Sequence, residues 1–163
     1  SKFFRGQVDK YTWVAPGSSY LPSELNAAYL YAQLEQAQKV FDDRMSSWNS
    51  YYEMLKPLAD KGKLELPTVP ENCGHNAHMF YVKTRDLAER TEFIKFLADN
   101  DVNAVFHYIP LHSAPAGLKC GVFHGEDRFT TKESERLVRL PMYYGLSSTD
   151  LVHVVEAVKE FYA

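Results

Sequence analysis

Cysteine is scarce in this sequence: Cys73 and Cys120 are the only two in 163 residues, too few for a disulfide framework, and a reducing cytoplasmic setting is expected. Long apolar runs are missing as well. None approaches the roughly 20 residues needed to span a bilayer, and the opening Ser1-Lys2-Phe3-Phe4-Arg5-Gly6 is too polar for a signal peptide, so no membrane partner is expected. Runs of like charge are absent, and 18 basic against 21 acidic side chains leave a net charge of -3. That balance argues against a nucleic-acid surface. No glycine-rich nucleotide fingerprint, Walker pattern, nucleophile elbow or Cys-His pairing occurs. Histidine spacing is equally uninformative about metals: His75 with His78, and His107 with His112, match no ligand pattern, so no metal site is expected.

What is present is core-forming material. Hydrophobic residues make up 45% of the chain and aromatics 14%, enough for one soluble domain. Residues 1–22 hold Phe3, Phe4, Tyr11, Trp13 and Tyr20 among Gly and Pro, without a helical or strand period, and read as loop that a larger protein would cover. A helix, or two end to end, is expected from Pro22 to about Ala59, ending at Gly62. Its apolar positions include Leu25, Ala28, Tyr29, Ala32, Val40, Phe41, Trp48, Tyr52 and Leu55.

After a proline-rich connection, residues 78–83 read as a strand. Asp86 and Glu89 form a capping box for a helix reaching Asn100-Asp101. Val102, Ala104 and Phe106 alternate with Asn103, Val105 and His107 in a second strand that ends at Tyr108-Ile109-Pro110. Residues 111–129 show no period and read as one long functional loop. Thr130 with Glu133 is expected to cap a short helix to about Val138. Leu140-Pro141-Met142-Tyr143 reads as a short edge strand, where proline is tolerated. The last helix should start at Ser147, with Leu151, Val154, Val155, Val158 and Phe161 as its buried stripe. The fold class is therefore α/β in the α+β sense: a small, mainly antiparallel or mixed sheet with helices on one face, preceded by a long linking helix.

Two stretches carry candidate chemistry. In Phe106-His107-Tyr108-Ile109-Pro110-Leu111-His112, two imidazoles and a phenol leave a strand end and enter the long loop; they suit phosphate or sugar hydroxyls, or simply finish a strand as half-buried polar residues. Gly17-Ser18-Ser19-Tyr20 before the Pro22 helix reads either as a phosphate cradle or as an ordinary helix start. The residues alone leave both pairs of readings open.

Taken in order, several stretches resemble the carboxy-terminal part of the DegT/DnrJ/EryC1/StrS family of pyridoxal-phosphate sugar aminotransferases, in particular its dTDP-4-amino-4,6-dideoxygalactose transaminase branch. They are Phe3 to Trp13, Gly17 to Leu21, Leu25 to Leu34, Asn76 to Tyr81, Val105 to His112, and Thr130 to Leu137 with Leu140-Pro141. The resemblance implies the small carboxy-terminal domain of a fold type I transferase. Residues 1–22 would then be a remnant of the large domain's loop, 23–62 the linking helix region and 63–163 the small domain.

The same resemblance implies amino transfer from glutamate to the nucleotide sugar dTDP-4-keto-6-deoxyglucose. The enzyme would be a cytoplasmic homodimer whose product feeds a polysaccharide such as enterobacterial common antigen. It places the Schiff-base lysine upstream of this chain, so pyridoxal 5'-phosphate is expected in the full-length enzyme and not in this piece, which should be inactive alone and holds no catalytic residue. Ser18, Ser19 and Tyr20 match the loop reaching the neighbouring subunit's cofactor phosphate, and His78, His107, Tyr108 and His112 match substrate-binding positions. The rival expectation is a non-catalytic module that binds a nucleotide sugar or a protein.

Overall fold

The computed structural model describes residues 21–163. The chain divides into two units, Ser1–Gln36 and Ala37–Ala163. In the first, helix α1 (Glu24–Glu35) begins where the Ser23 side chain accepts from the Asn26 N–H. No residue of α1 is buried, and the apolar positions Leu25, Ala28, Tyr29 and Ala32 are exposed.

The second unit opens with helix α2 (Ala37–Asp60). A Schellman turn ends it: the Gly62 N–H reaches the Ala59 carbonyl at 2.8 Å and the Lys63 N–H reaches that of Leu58 at 3.0 Å. The left-handed φ of +69° this requires is one that glycine adopts without a Cβ penalty. Its inward face is Ser47, Trp48, Tyr51 and Leu55, so the phase centres on Tyr51 and leaves Tyr52 at the margin.

Strand β1 (Phe80–Lys83) leads to α3 (Leu87–Asp99), whose cap is as expected: the Asp86 carboxylate accepts from the Glu89 N–H at 2.9 Å. The reciprocal Glu89 carboxylate accepts from the Arg85 N–H, one residue earlier than in the standard box. Strand β2 is only Val105–Phe106; Val102 and Ala104 are buried ahead of it, whereas Phe106 is half exposed under the Arg90 guanidinium. The expected continuous loop holds a short helix, α4 (Pro115–Cys120), started by a proline whose missing N–H costs nothing in a first turn. Helix α5 (Thr130–Arg136) is not capped by Thr130: the Asp127 carboxylate accepts from the Thr131 N–H instead.

Strand β3 (Leu137–Leu140) corrects the sequence reading most. The strand precedes Pro141 rather than containing it, and it is central, in the antiparallel order β1-β3-β2. Pro141 has no N–H to donate to a ladder, so it ends the strand. Helix α6 (Ser148–Phe161) follows, with Ser147 capping Asp150 as expected and Leu151, Val154, Val155 and Val158 buried.

Register sets the two faces of the sheet. Phe80 pairs with Leu140 and Val82 with Val138, and these four are buried in the core with α2, α3 and α6. Tyr81 pairs with Arg139, and Arg139 in turn with Val105, so these side chains stand on the opposite face. Each fully buried Leu, Val or Phe contributes about 1.5–3 kcal/mol, so the core's stability comes chiefly from this one sheet face and three helices.

Candidate functional site

The site begins where β1 begins. His78 is exposed and follows Ala77, a buried residue at φ +50°, in the left-handed region that costs an L-residue about 1–2 kcal/mol. Arg44 of α2 holds this bend: Nε donates to the Ala77 carbonyl at 3.1 Å and Nη2 to that of His78 at 2.5 Å. A strained residue pinned by a long-range arginine is a way to fix the direction of the next side chain. His78 opens onto a cleft of about 290 Å³ whose lining includes Met79, Asn103, Val105, Arg139 and Met142.

His107 and Tyr108 leave β2. Their rings meet edge to face, with centroids 5.0 Å apart. His107 is half-buried and its Nδ1 is buried without a hydrogen-bond partner among the described residues, while Tyr108 is 78% exposed. His107 follows the last residue of β2 and is not part of the cleft lining, so the structure brings His78, but not His107, to the cleft that Arg139 borders.

His112 sits in a corner of its own. Its Nε2 lies 2.9 Å from Asp127 Oδ2 and 3.3 Å from Thr131 Oγ1, and its ring packs on Phe123 at 4.6 Å. The Thr131 hydroxyl and backbone N–H, with His112 beside them, hold the Asp127 carboxyl below the usual carboxylate range. An anionic Asp127 fixes the imidazole's orientation and favours a proton on Nε2. The wall next to it is a mostly apolar cleft of about 480 Å³ formed by Leu111, Leu118, Val122 and Phe123 among others. This geometry suits positioning, since His112 is already engaged by its own loop.

That loop depends on Gly117. A Cβ there would lie 1.6 Å from the Leu111 carbonyl oxygen. Gly117→Ala is therefore expected to force the 111–121 turn apart, seen as faster limited proteolysis within the loop while the urea midpoint of the core changes little. An unchanged cleavage pattern would contradict this close approach.

Ser18, Ser19 and Tyr20, the expected phosphate-loop residues, lie outside the described residues. Among the described lysines, the half-buried Lys83 has its ammonium 2.7 Å from Glu133 and 3.3 Å from Glu65. The Glu133 hydrogen bond chiefly, and then Glu65, raise its pKa, which is the reverse of what a carbonyl-condensing amine needs. Lys83 therefore does not suit a Schiff-base role. No group of three metal-ligating side chains gathers among the described residues, and no described helix is long and apolar enough to cross a membrane.

The residues that sequence reasoning missed are Asp127, Thr131, Asn103 and Arg139. Only Arg139 had a visible signal, as a charged residue between Val138 and Leu140 in an alternating stretch.

Comparison with known proteins covers almost all of the chain. The model of the DegT/DnrJ/EryC1/StrS aminotransferase family matches residues 3–159. A dTDP-3-amino-3,4,6-trideoxy-alpha-D-glucose transaminase of Micromonospora megalomicea subsp. nigra is 30% identical over 152 residues, which is 92% of this chain and 40% of that protein. The fold is similar to that of DesV from S. venezuelae, with a TM-score of 0.80 at 22% identity over 94% of this chain and 40% of the other. It is also similar to NtdA from Bacillus subtilis, whose structure contains the cofactor PMP, with a TM-score of 0.63 at 24% identity over 75% of this chain and 28% of the other. The chain spans about 40% of the length of the curated relatives it matches.

Proposed function

This chain belongs to the DegT/DnrJ/EryC1/StrS aminotransferase family, and from that premise we propose that it is the carboxy-terminal part of a sugar-nucleotide aminotransferase that moves an amino group from glutamate to dTDP-4-keto-6-deoxyglucose. The observation that carries this reading is the family match running unbroken from residue 3 to residue 159. In the whole enzyme, residues 1–22 complete the large domain, 23–62 link, and 63–163 form the small domain. The enzyme is a cytoplasmic homodimer serving a surface polysaccharide such as enterobacterial common antigen.

Members of the family depend on pyridoxal phosphate, which when bound carries the amino group between donor and acceptor. This chain's own residues do other work. His78 ahead of β1, and His107 and Tyr108 after β2, offer donors and an aromatic surface to the nucleotide sugar. His112, oriented by Asp127, holds its loop against the substrate side. Ser18, Ser19 and Tyr20 supply hydroxyls and backbone N–H groups for the cofactor phosphate of the neighbouring subunit. The lysine that carries the cofactor belongs to the part of the enzyme outside this chain.

The test compares a polypeptide of the relatives' length containing this chain with the 163-residue chain alone. Both receive pyridoxal phosphate, glutamate and dTDP-4-keto-6-deoxyglucose, and 2-oxoglutarate release is followed. Turnover by the longer polypeptide only is the expected result. No release from either, across a panel of nucleotide-linked keto sugars, would overturn the activity; turnover by the short chain would overturn its role as a part.

A further inference from the structure

Arginine is the side chain whose company says most about its task, because its five N–H donors are always charged and are usually matched. In the described residues, five arginines have partners at 3.1 Å or less. Arg44 holds the Ala77 and His78 carbonyls, Arg85 pairs with Asp86, Arg90 donates to the Ser134 carbonyl, Arg128 pairs with Glu126, and Arg136 donates to the Thr84 carbonyl. Arg139 departs from this pattern. Its one hydrogen bond is from Nη2 to the Phe106 carbonyl at 3.4 Å, and no carboxylate pairs with it among the described residues; its Nε is buried with no partner, as is that of Arg90, but Arg90 is held by the Ser134 carbonyl at 3.0 Å and lies over the Phe106 ring.

Its position matches its lack of partners. Arg139 lies on the central strand β3, on the sheet face away from the core, between Tyr81 and Val105. It borders the cleft of about 290 Å³ that His78 opens onto. Two further residues that carry side-chain donors, His78 and Asn103, line that cleft together with the apolar Met79, Val105 and Met142. No carboxylate is among the lining residues. A concave site with donors, one positive charge and no carboxylate among its described lining residues suits an oxyanion.

We propose that Arg139 is the anchor of an oxyanion subsite in this cleft, taking a carboxylate or phosphate group of a substrate, with Asn103 and His78 as its secondary donors. The proposal deepens the aminotransferase reading and rests on it for the identity of the anion. Two substrates bring this chemistry: the dicarboxylate amino donor and the diphosphate of the nucleotide sugar. Arg139 is set on a strand with neighbours on both sides, which fixes the sheet face it leaves from, and its planar fork suits two-pronged recognition of a carboxylate or phosphate. The long bond to the Phe106 carbonyl is one that an arriving anion displaces at little loss.

The experiment titrates the isotopically labelled 163-residue chain separately with 2-oxoglutarate and with dTDP at millimolar concentrations, following the Arg139 Nε–H and Asn103 side-chain amide resonances. Saturable movement of both by one ligand is expected, and which ligand does it identifies the source of the anion. In Arg139→Gln, with its remaining spectrum superimposing on that of the parent, binding should weaken by about tenfold or more, as for loss of a charged hydrogen bond. Arg139→Lys keeps the charge but not the fork and should fall between the two.

Stationary Arg139 and Asn103 resonances with both ligands, or equal binding by Arg139→Gln, would overturn the proposal. Its failure is separable from that of the enzymatic reading. Anion binding at Arg139 in a protein without transaminase turnover overturns the activity alone, whereas turnover in the longer polypeptide with anion-insensitive Arg139 overturns the subsite alone.

Discussion

Replacing Tyr51 with alanine is expected to remove about 3–5 kcal/mol from the unfolding free energy of the Ala37–Ala163 unit, a large share of what a domain usually has. Tyr51 is fully buried, stacks on Phe80 with ring centroids 5.0 Å apart, and donates its hydroxyl to the Pro141 carbonyl at 2.8 Å. Burial raises its pKa, so the hydroxyl stays a donor throughout the ordinary pH range. The side chain therefore joins α2 to β1 and to the residue just past β3, and alanine leaves both a ring-sized void and an unpaired carbonyl. Tyr51→Phe keeps the packing and should lose about 1 kcal/mol, the net worth of one hydrogen bond. Urea unfolding of both variants separates the two parts; a shift in Tyr51→Ala no larger than in Tyr51→Phe would refute the packing account.

The second large effect concerns the charges at the other end of β1. Lys83 lies between Glu133 and Glu65, and Arg136 pairs with the same two carboxylates while its Nε donates to the Thr84 carbonyl at 2.7 Å. Arg136 is only 12% exposed in its side chain, although Glu65 is about half open to water. Arg136→Met should lower stability by about 2 kcal/mol, less than for a fully buried pair because water screens Glu65.

The network also fixes a pH dependence. The hydrogen bond from Arg136, then Lys83, lowers the pKa of Glu65, and the hydrogen bond from Lys83 lowers that of Glu133. A carboxylate with a lowered folded pKa stabilises fully above its unfolded value and loses that contribution as pH falls through the folded one. Stability from these two groups should hold from neutrality down to the ordinary glutamate value of 4.5 and decline below it. Lys83 and Arg136, with raised values, lose their contribution only at alkaline pH. Urea midpoints between pH 7 and pH 3 check this: the acid decline should be shallower in Arg136→Met, and parallel curves would contradict the network's role.

Local chemistry was the legible part of the fold. Asp86 and Ser147 cap helices from the residues immediately following them, so α3 and α6 could be read directly. Phase was harder: Tyr51 and Tyr52 are adjacent and alike, and only packing against Phe80 decides which of them faces inward. Strand β3 was misplaced because proline suggested an edge, whereas Pro141 stands just past a central strand whose two partners lie far away in sequence. The site divides in the same way. His78, His107, Tyr108 and His112 stood out by residue type, but Asp127 meets His112 through a loop no periodicity describes. Arg139 gains meaning only from what it lacks as a partner.

The position of β3 bears on how the chain folds as it is made. Among the described residues, β1 and β2 both pair with β3, which comes last of the three in the chain. Until Leu140 has been synthesised, β1 has only the single bridge from Lys83 to Glu65, β2 has no described ladder to join, and Phe80 and Val82 have no opposite number. Closing the sheet must wait for a long-range encounter, which slows folding and prolongs exposure of apolar surface. A chain emerging from the ribosome is therefore expected to keep Phe80 and Val82 without their cross-strand partners until Leu137–Leu140 has followed.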